Sequence, residues 1–206
     1  MITFSQIPQL QLNFILIPLA YLLIGSVIKY IDQVYDEKSN QKYTALIISL
    51  PTGILMGLLI ATDNISTIVL GSIIVAVALT NKIDNTAFRI LFLISMLSSL
   101  MINNLIFLPV IPFTILVIAA ILDELGNDWV DRLTSIKQIY PSRAYRILAT
   151  LFANRYTLPL TALFLFINHI LSIEYFIYLF LFDIGYYLTE KVWAQIHKTS
   201  KSITYG

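Results

Sequence analysis

The chain has 206 residues, 58% of them hydrophobic and 12% charged, about half the charged share of roughly 25% typical of soluble domains, which excludes an ordinary soluble domain. Its net charge of +1, with Lys and Arg confined to short segments between apolar runs, offers no basic patch and excludes nucleic acid as a partner. Cysteine is absent, which removes disulfides, thiolate metal sites and cysteine nucleophiles.

The N-terminal segment has no basic n-region and no small-residue cleavage site, so no signal peptide is expected and the first apolar run stays in the mature protein. Seven apolar runs are expected to be transmembrane helices at about 12–30, 43–61, 65–80, 89–102, 105–122, 157–171 and 175–188. Pro18 predicts a kink in the first. The second carries Gly53-Ile54-Leu55-Met56-Gly57, a GxxxG ridge that lets a neighbouring helix come close, either within the chain or in a homo-oligomer or partner subunit. Thr62-Asp63-Asn64 and Asn103-Asn104 read as tight turns, and Asn81-Lys82-Ile83-Asp84-Asn85 as a short charged loop.

The fifth run ends in Asp123-Glu124-Leu125-Gly126-Asn127-Asp128-Trp129-Val130-Asp131-Arg132, which opens the one long connection of the chain, 123–156. Its second half, about 141–153, has helical period: Arg143, Arg146 and Thr150 share one face, Tyr145, Leu148 and Phe152 the other. That is the pattern of an amphipathic helix in the headgroup region, with Pro141 near its first turn. From Glu190 onward the chain reads as a polar, basic tail. The fold expected is an all-α, polytopic transmembrane bundle in a single domain, 1–206.

With seven spans, all 13 Lys and Arg fall in the connections after the odd spans and in the tail. The positive-inside rule then places the N-terminus outside and the C-terminus in the cytoplasm of a multi-pass cell-membrane protein. On that topology only Asp63 and Glu174 among the 12 carboxylates lie outside. Asp32 and Asp36 are four residues apart, as are Glu124 and Asp128, and like charges at that spacing repel along a helix unless a cation or solvent intervenes.

Two accounts of these acids follow. In one they wet helix ends and pair with neighbours, Asp36 with Lys38 or Lys29 and Asp128 with Arg132. In the other, Asp32, Asp36, Asp123 and Asp128 converge on Mg²⁺, a hard ion suited to carboxylates and substrate phosphates, while Arg143, Arg146 and Arg155 clamp a diphosphate or lipid headgroup. Asp183, inside the seventh run, is a site hypothesis because an ionisable group at membrane depth is costly. His169 and His197 lack the spacing of a zinc protease.

Asp32-Gln33-Val34-Tyr35-Asp36 and Asp123-Glu124-Leu125-Gly126-Asn127-Asp128, four spans apart on one membrane side, resemble the two aspartate-rich segments of the UbiA-type membrane prenyltransferases. The first departs from the family's N-D-x-x-D-x-x-x-D in having Ile31 for the Asn and the next Asp one residue late. The second is one residue longer than D-x-x-x-D, and the family has nine spans. The resemblance implies Mg²⁺ and a prenyl diphosphate substrate at a cytoplasm-facing pocket. Beside that enzyme reading stand two others: a small-solute, cation or proton transporter using Asp183, and a non-enzymatic membrane subunit.

Overall fold

The computed structural model describes residues 6–102, 109–135, 143–153 and 155–203, the side chains of 6–14, 134–135 and 197–203 excepted. The Asn103-Asn104 turn, the start of the 105–122 run, Pro141 and the His197 side chain lie outside the described residues. Eight helices are described: α1 (Gln6–Asp36), α2 (Lys42–Thr62), α3 (Asn64–Leu79), α4 (Thr86–Ile102), α5 (Val110–Ser135), α6 (Arg143–Ala153), α7 (Thr157–Ile167) and α8 (Ile173–Ile203).

The class is all-α, as expected, but the number of spans is not seven. Three helices are long and apolar enough to cross a membrane, Ile15–Asp36, Lys42–Thr62 and Val110–Leu133, and a fourth if α6 and α7, bent by 94°, count as one. By length and composition this is a multi-pass membrane protein. The other runs fail on length or charge. With 16 and 17 residues, α3 and α4 reach only about 24–26 Å at 1.5 Å per residue, short of the hydrocarbon core of roughly 30 Å. α7 has 11 residues. In α8, the apolar stretch between Glu174 and Glu190 is interrupted by Asp183. The assignment of Lys and Arg to alternate connections needs seven crossings and therefore no longer fixes orientation.

Two segments expected as irregular are helical. α5 runs through the acidic stretch to Ser135, and α8 continues through the basic tail to Ile203. Neither stretch contains proline; the tail is rich in helix formers such as Glu190, Lys191, Ala194 and Gln195, whereas the acidic stretch, with its Asp, Asn and Gly, is held helical by packing against α6.

The chain falls into two compact units, 1–59 with 85–103 and 177–206, and 60–84 with 104–176. In the first, α1 and α8 cross with their backbones in contact: a Cβ on Gly25 would run into the Phe182 carbonyl, and one on Gly185 into the Leu22 carbonyl. Ser26 Oγ donates to the Leu22 carbonyl at 2.8 Å and reaches the Gly185 carbonyl of α8 at 3.2 Å. The GxxxG ridge of α2 is occupied within the chain: a Cβ on Gly53 would lie 2.6 Å from the Leu91 carbonyl oxygen, and Gly57 abuts Ser95 and Ser98.

In the second unit α3 lies along α5, and α5 also carries α6 and α7. Asp63 caps α3, its Oδ2 accepting from the Ser66 backbone N–H and hydroxyl, both at 2.7 Å. Asn81, Arg155 and His169 end α3, α6 and α7 in left-handed conformation, with φ of 58°, 53° and 57°. At each, the next amide bonds the carbonyl five residues back, as in Lys82 N–H to Val77 at 3.0 Å, the arrangement that usually calls for glycine.

Candidate functional site at the α6–α7 corner

Asp123 and Glu124 stand side by side on α5, and both are nearly inaccessible, 4% and 7% exposed. Their burial is explained by what they hold. The first N–H groups of a helix have no partner inside it, and Tyr156, at the N-cap of α7, supplies no side-chain bond. Asp123 supplies it from α5. One carboxylate oxygen accepts from the Thr157 N–H at 2.9 Å and the other from the Leu158 N–H at 2.7 Å, where the helix dipole also favours a negative charge.

Glu124 accepts from Arg155 Nη1 at 2.9 Å. Arg155 is the left-handed residue that ends α6, so adjacent carboxylates of α5 fix both sides of the bend, the last residue of the α6 cap and the first turn of α7. An ion pair this close to burial costs most when one partner is removed, because the other charge is left stranded. We therefore expect Arg155→Ala to be clearly destabilising, since it keeps the strained backbone and orphans Glu124. Arg155→Gly should recover about 1 kcal/mol of that loss by relieving the left-handed strain. Thermal unfolding of the two variants in detergent checks the order, and equal melting points would refute it.

α6 rests on α5 through its aromatic face. Trp129 meets Tyr145 at 5.0 Å and Phe152 at 6.2 Å between ring centroids, edge to face. Gly126 leaves room for the Phe152 ring, and Ala149 between them is buried. The opposite side carries Arg143, Arg146 and Thr150, all exposed. Ile147 and Leu148 are also open, 56% and 47% exposed. Neither arginine side chain forms an ion pair among the described residues. In the inner angle of the corner, Leu151, Thr157, Leu160, Thr161 and Phe164 line an open groove of about 250 Å³.

The other expected site residues are placed as follows. Asp128 pairs with Lys82, from the loop after α3, rather than with Arg132. In the other unit Asp32 Oδ2 accepts from Lys29 Nζ and from the Tyr186 hydroxyl, both at 3.2 Å. Lys29, only 12% exposed, also lies 3.9 Å from Glu190 and 4.6 Å from the centre of the Tyr186 ring. Asp36 is exposed at the end of α1, and Asp183 is half-buried on α8 with a partner of its own. Among the described residues, no group of three or more His, Asp or Glu side chains is placed to hold a metal ion. The α5 donors do not fit Mg²⁺ as placed: both Asp123 oxygens are bound to N–H groups and Asp128 to a lysine.

Glu124 and Lys29 are marked in the sequence by their spacing but not as site residues. Their distant partners are what spacing does not announce: Arg155 lies 31 residues from Glu124, and Lys29, besides Asp32 three residues on, reaches Tyr186, 157 residues away.

Searches against protein-family models, curated proteins and solved structures return no match to this chain.

Proposed function

We propose that this multi-pass membrane protein binds the anionic headgroup of a lipid at the α6–α7 corner, with Arg143 and Arg146 as the phosphate-binding residues. The observation that carries the reading is α6 itself: a short amphipathic helix locked by Trp129, Tyr145 and Phe152 to the end of a candidate membrane span, with two arginines on its open face that form no ion pair among the described residues. Helices of this composition lie in the interface plane, apolar side toward the acyl chains and cationic side toward the headgroups. Guanidinium groups match phosphate with paired N–H donors. Arg155, held by Glu124, serves the corner instead of the lipid.

The lipid-phosphate part of the expectation is retained here, without a metal step. Each arginine near an anionic surface contributes about 1 kcal/mol, so the double variant Arg143→Gln, Arg146→Gln should lower the preference for anionic over zwitterionic lipid by roughly 30-fold. Native mass spectrometry of lipids retained by the purified protein, or its thermal stabilisation by each lipid, reads this directly. A wild-type protein that shows no anionic preference, or a double variant that keeps it, would overturn the assignment.

A further inference from the structure

Resting on that reading, we infer that the groove in the inner angle of the corner seats one acyl chain of the bound lipid, so that the site takes a single long-chain anionic phospholipid rather than phosphate groups in general. The shape argues for a chain. At about 250 Å³ and open along one side, the groove is smaller than the roughly 300–1,000 Å³ clefts that enclose compact small molecules, but it follows the surface of α7. Its walls are apolar at Leu151, Leu160 and Phe164, with hydroxyl groups at Thr157 and Thr161. Leu160 and Phe164 are 48% and 63% exposed, apolar surface that needs cover.

The setting argues for a lipid. Counted as one broken span, α6 and α7 pass the length and hydropathy test; with α6 in the interface plane, the apolar α7 is the part that enters the acyl region, and the inner angle of the bend opens on it. Leu151 lies on the flank of α6 beside the arginine face, about 80° around the helix and about 12 Å of rise from Arg143. The glycerol unit and first methylenes of a phospholipid bridge that interval between phosphate and chain, and Thr161 on α7 offers its hydroxyl to an ester oxygen, the Thr157 hydroxyl being bound to Asp123. The cationic rim and the apolar groove thus match the two ends of one molecule.

The test uses the full-length protein in detergent and three probes of the same charge type: inorganic phosphate, a short-chain and a long-chain lysophosphatidic acid. Binding should strengthen with chain length. Thr161→Phe fills the groove and should weaken the long-chain probe by about tenfold, the worth of one or two buried methylenes, while leaving the short-chain probe unchanged. Leu160→Trp, at an exposed position, does the same should the first variant not fold. Affinity independent of chain length, or long-chain binding untouched by the filling variant, overturns the acyl seat. Long-chain binding that depends on the groove but survives Arg143→Gln, Arg146→Gln overturns the headgroup assignment instead.

Discussion

Replacing Asp123 by alanine should cost about 2–4 kcal/mol of stability, among the largest effects of any single side chain in the α5–α7 half of the protein. Two N–H groups, the half-buried one of Thr157 and the buried one of Leu158, lose their acceptor at once. Leaving a buried polar group unsatisfied costs roughly 1–3 kcal/mol, and loss of an N-cap alone about 0.5–2 kcal/mol. Asparagine retains one acceptor oxygen and should recover roughly half of the loss. That partial rescue separates a cap from a cation ligand, because a neutral amide serves the N-terminus of a helix but is a poor substitute for a carboxylate on Mg²⁺. Unfolding in detergent measures the stability series. Lipid retention should fall in Asp123→Ala although Arg143 and Arg146 are intact, since α7 is then no longer fastened to α5. An alanine variant as stable as wild type would remove Asp123 from this role.

The class of the protein was legible because composition decides it, and the GxxxG ridge was legible because close helix approach needs small residues at that spacing. The span count was not. Charged turns bound the runs at 65–80, 89–102, 157–171 and 175–188, and each was read as a crossing although each is shorter than the roughly 17–25 residues a crossing takes. Polarity marks where a helix leaves an apolar environment without saying that the helix has traversed one. The amphipathic α6 was legible from its period, because the arginine face and the aromatic face differ at every turn. What the aromatic face meets, Trp129 and Gly126, was not.

The acidic stretch was seen, but its partners were not. From spacing alone, four carboxylates at the end of an apolar run suggest a cation. In the folded chain each finds a different answer: Asp123 a helix N-terminus, Glu124 an arginine, Asp128 a lysine, while Asp131 lies 3.4 Å from the Asn127 amide. Such partners are tertiary and 31 to 46 residues distant for the ion pairs, so no window along the sequence contains both members. The cationic candidates divide for the same reason. Arg155 is drawn into the corner by Glu124, and Arg143 and Arg146 are left outward because the opposite face of α6 carries the rings that pack on α5.

At the α1–α8 crossing, alanine at Gly25 or Gly185 should each cost about 1–3 kcal/mol or more, because the added carbon meets a backbone carbonyl that no rotamer change can move aside. The contrast lies within the same chain. At Gly126 the obstacle is Phe152 down to its Cβ, which ring rotation does not move, whereas at Gly71 the nearest atom is the edge of Phe113 at 3.4 Å, ordinary contact. Gly126→Ala should therefore also be costly, by pushing α6 off α5, and Gly71→Ala should cost almost nothing. The double variant Gly25→Ala, Gly185→Ala should cost less than the sum of its parts, since the first substitution already separates the helices that the second would push apart. Separation must also dissolve what the crossing positions: Tyr186, one residue beyond Gly185, donates to Asp32 and sits under the Lys29 ammonium. In the wild-type background Tyr186→Phe should cost about 0.5–1.5 kcal/mol for the lost hydroxyl; in the Gly185→Ala background that cost should vanish. A double-mutant cycle by thermal unfolding in detergent measures the coupling. A Tyr186→Phe effect of the same size in both backgrounds would mean that the buried lysine cluster forms independently of the glycine crossing.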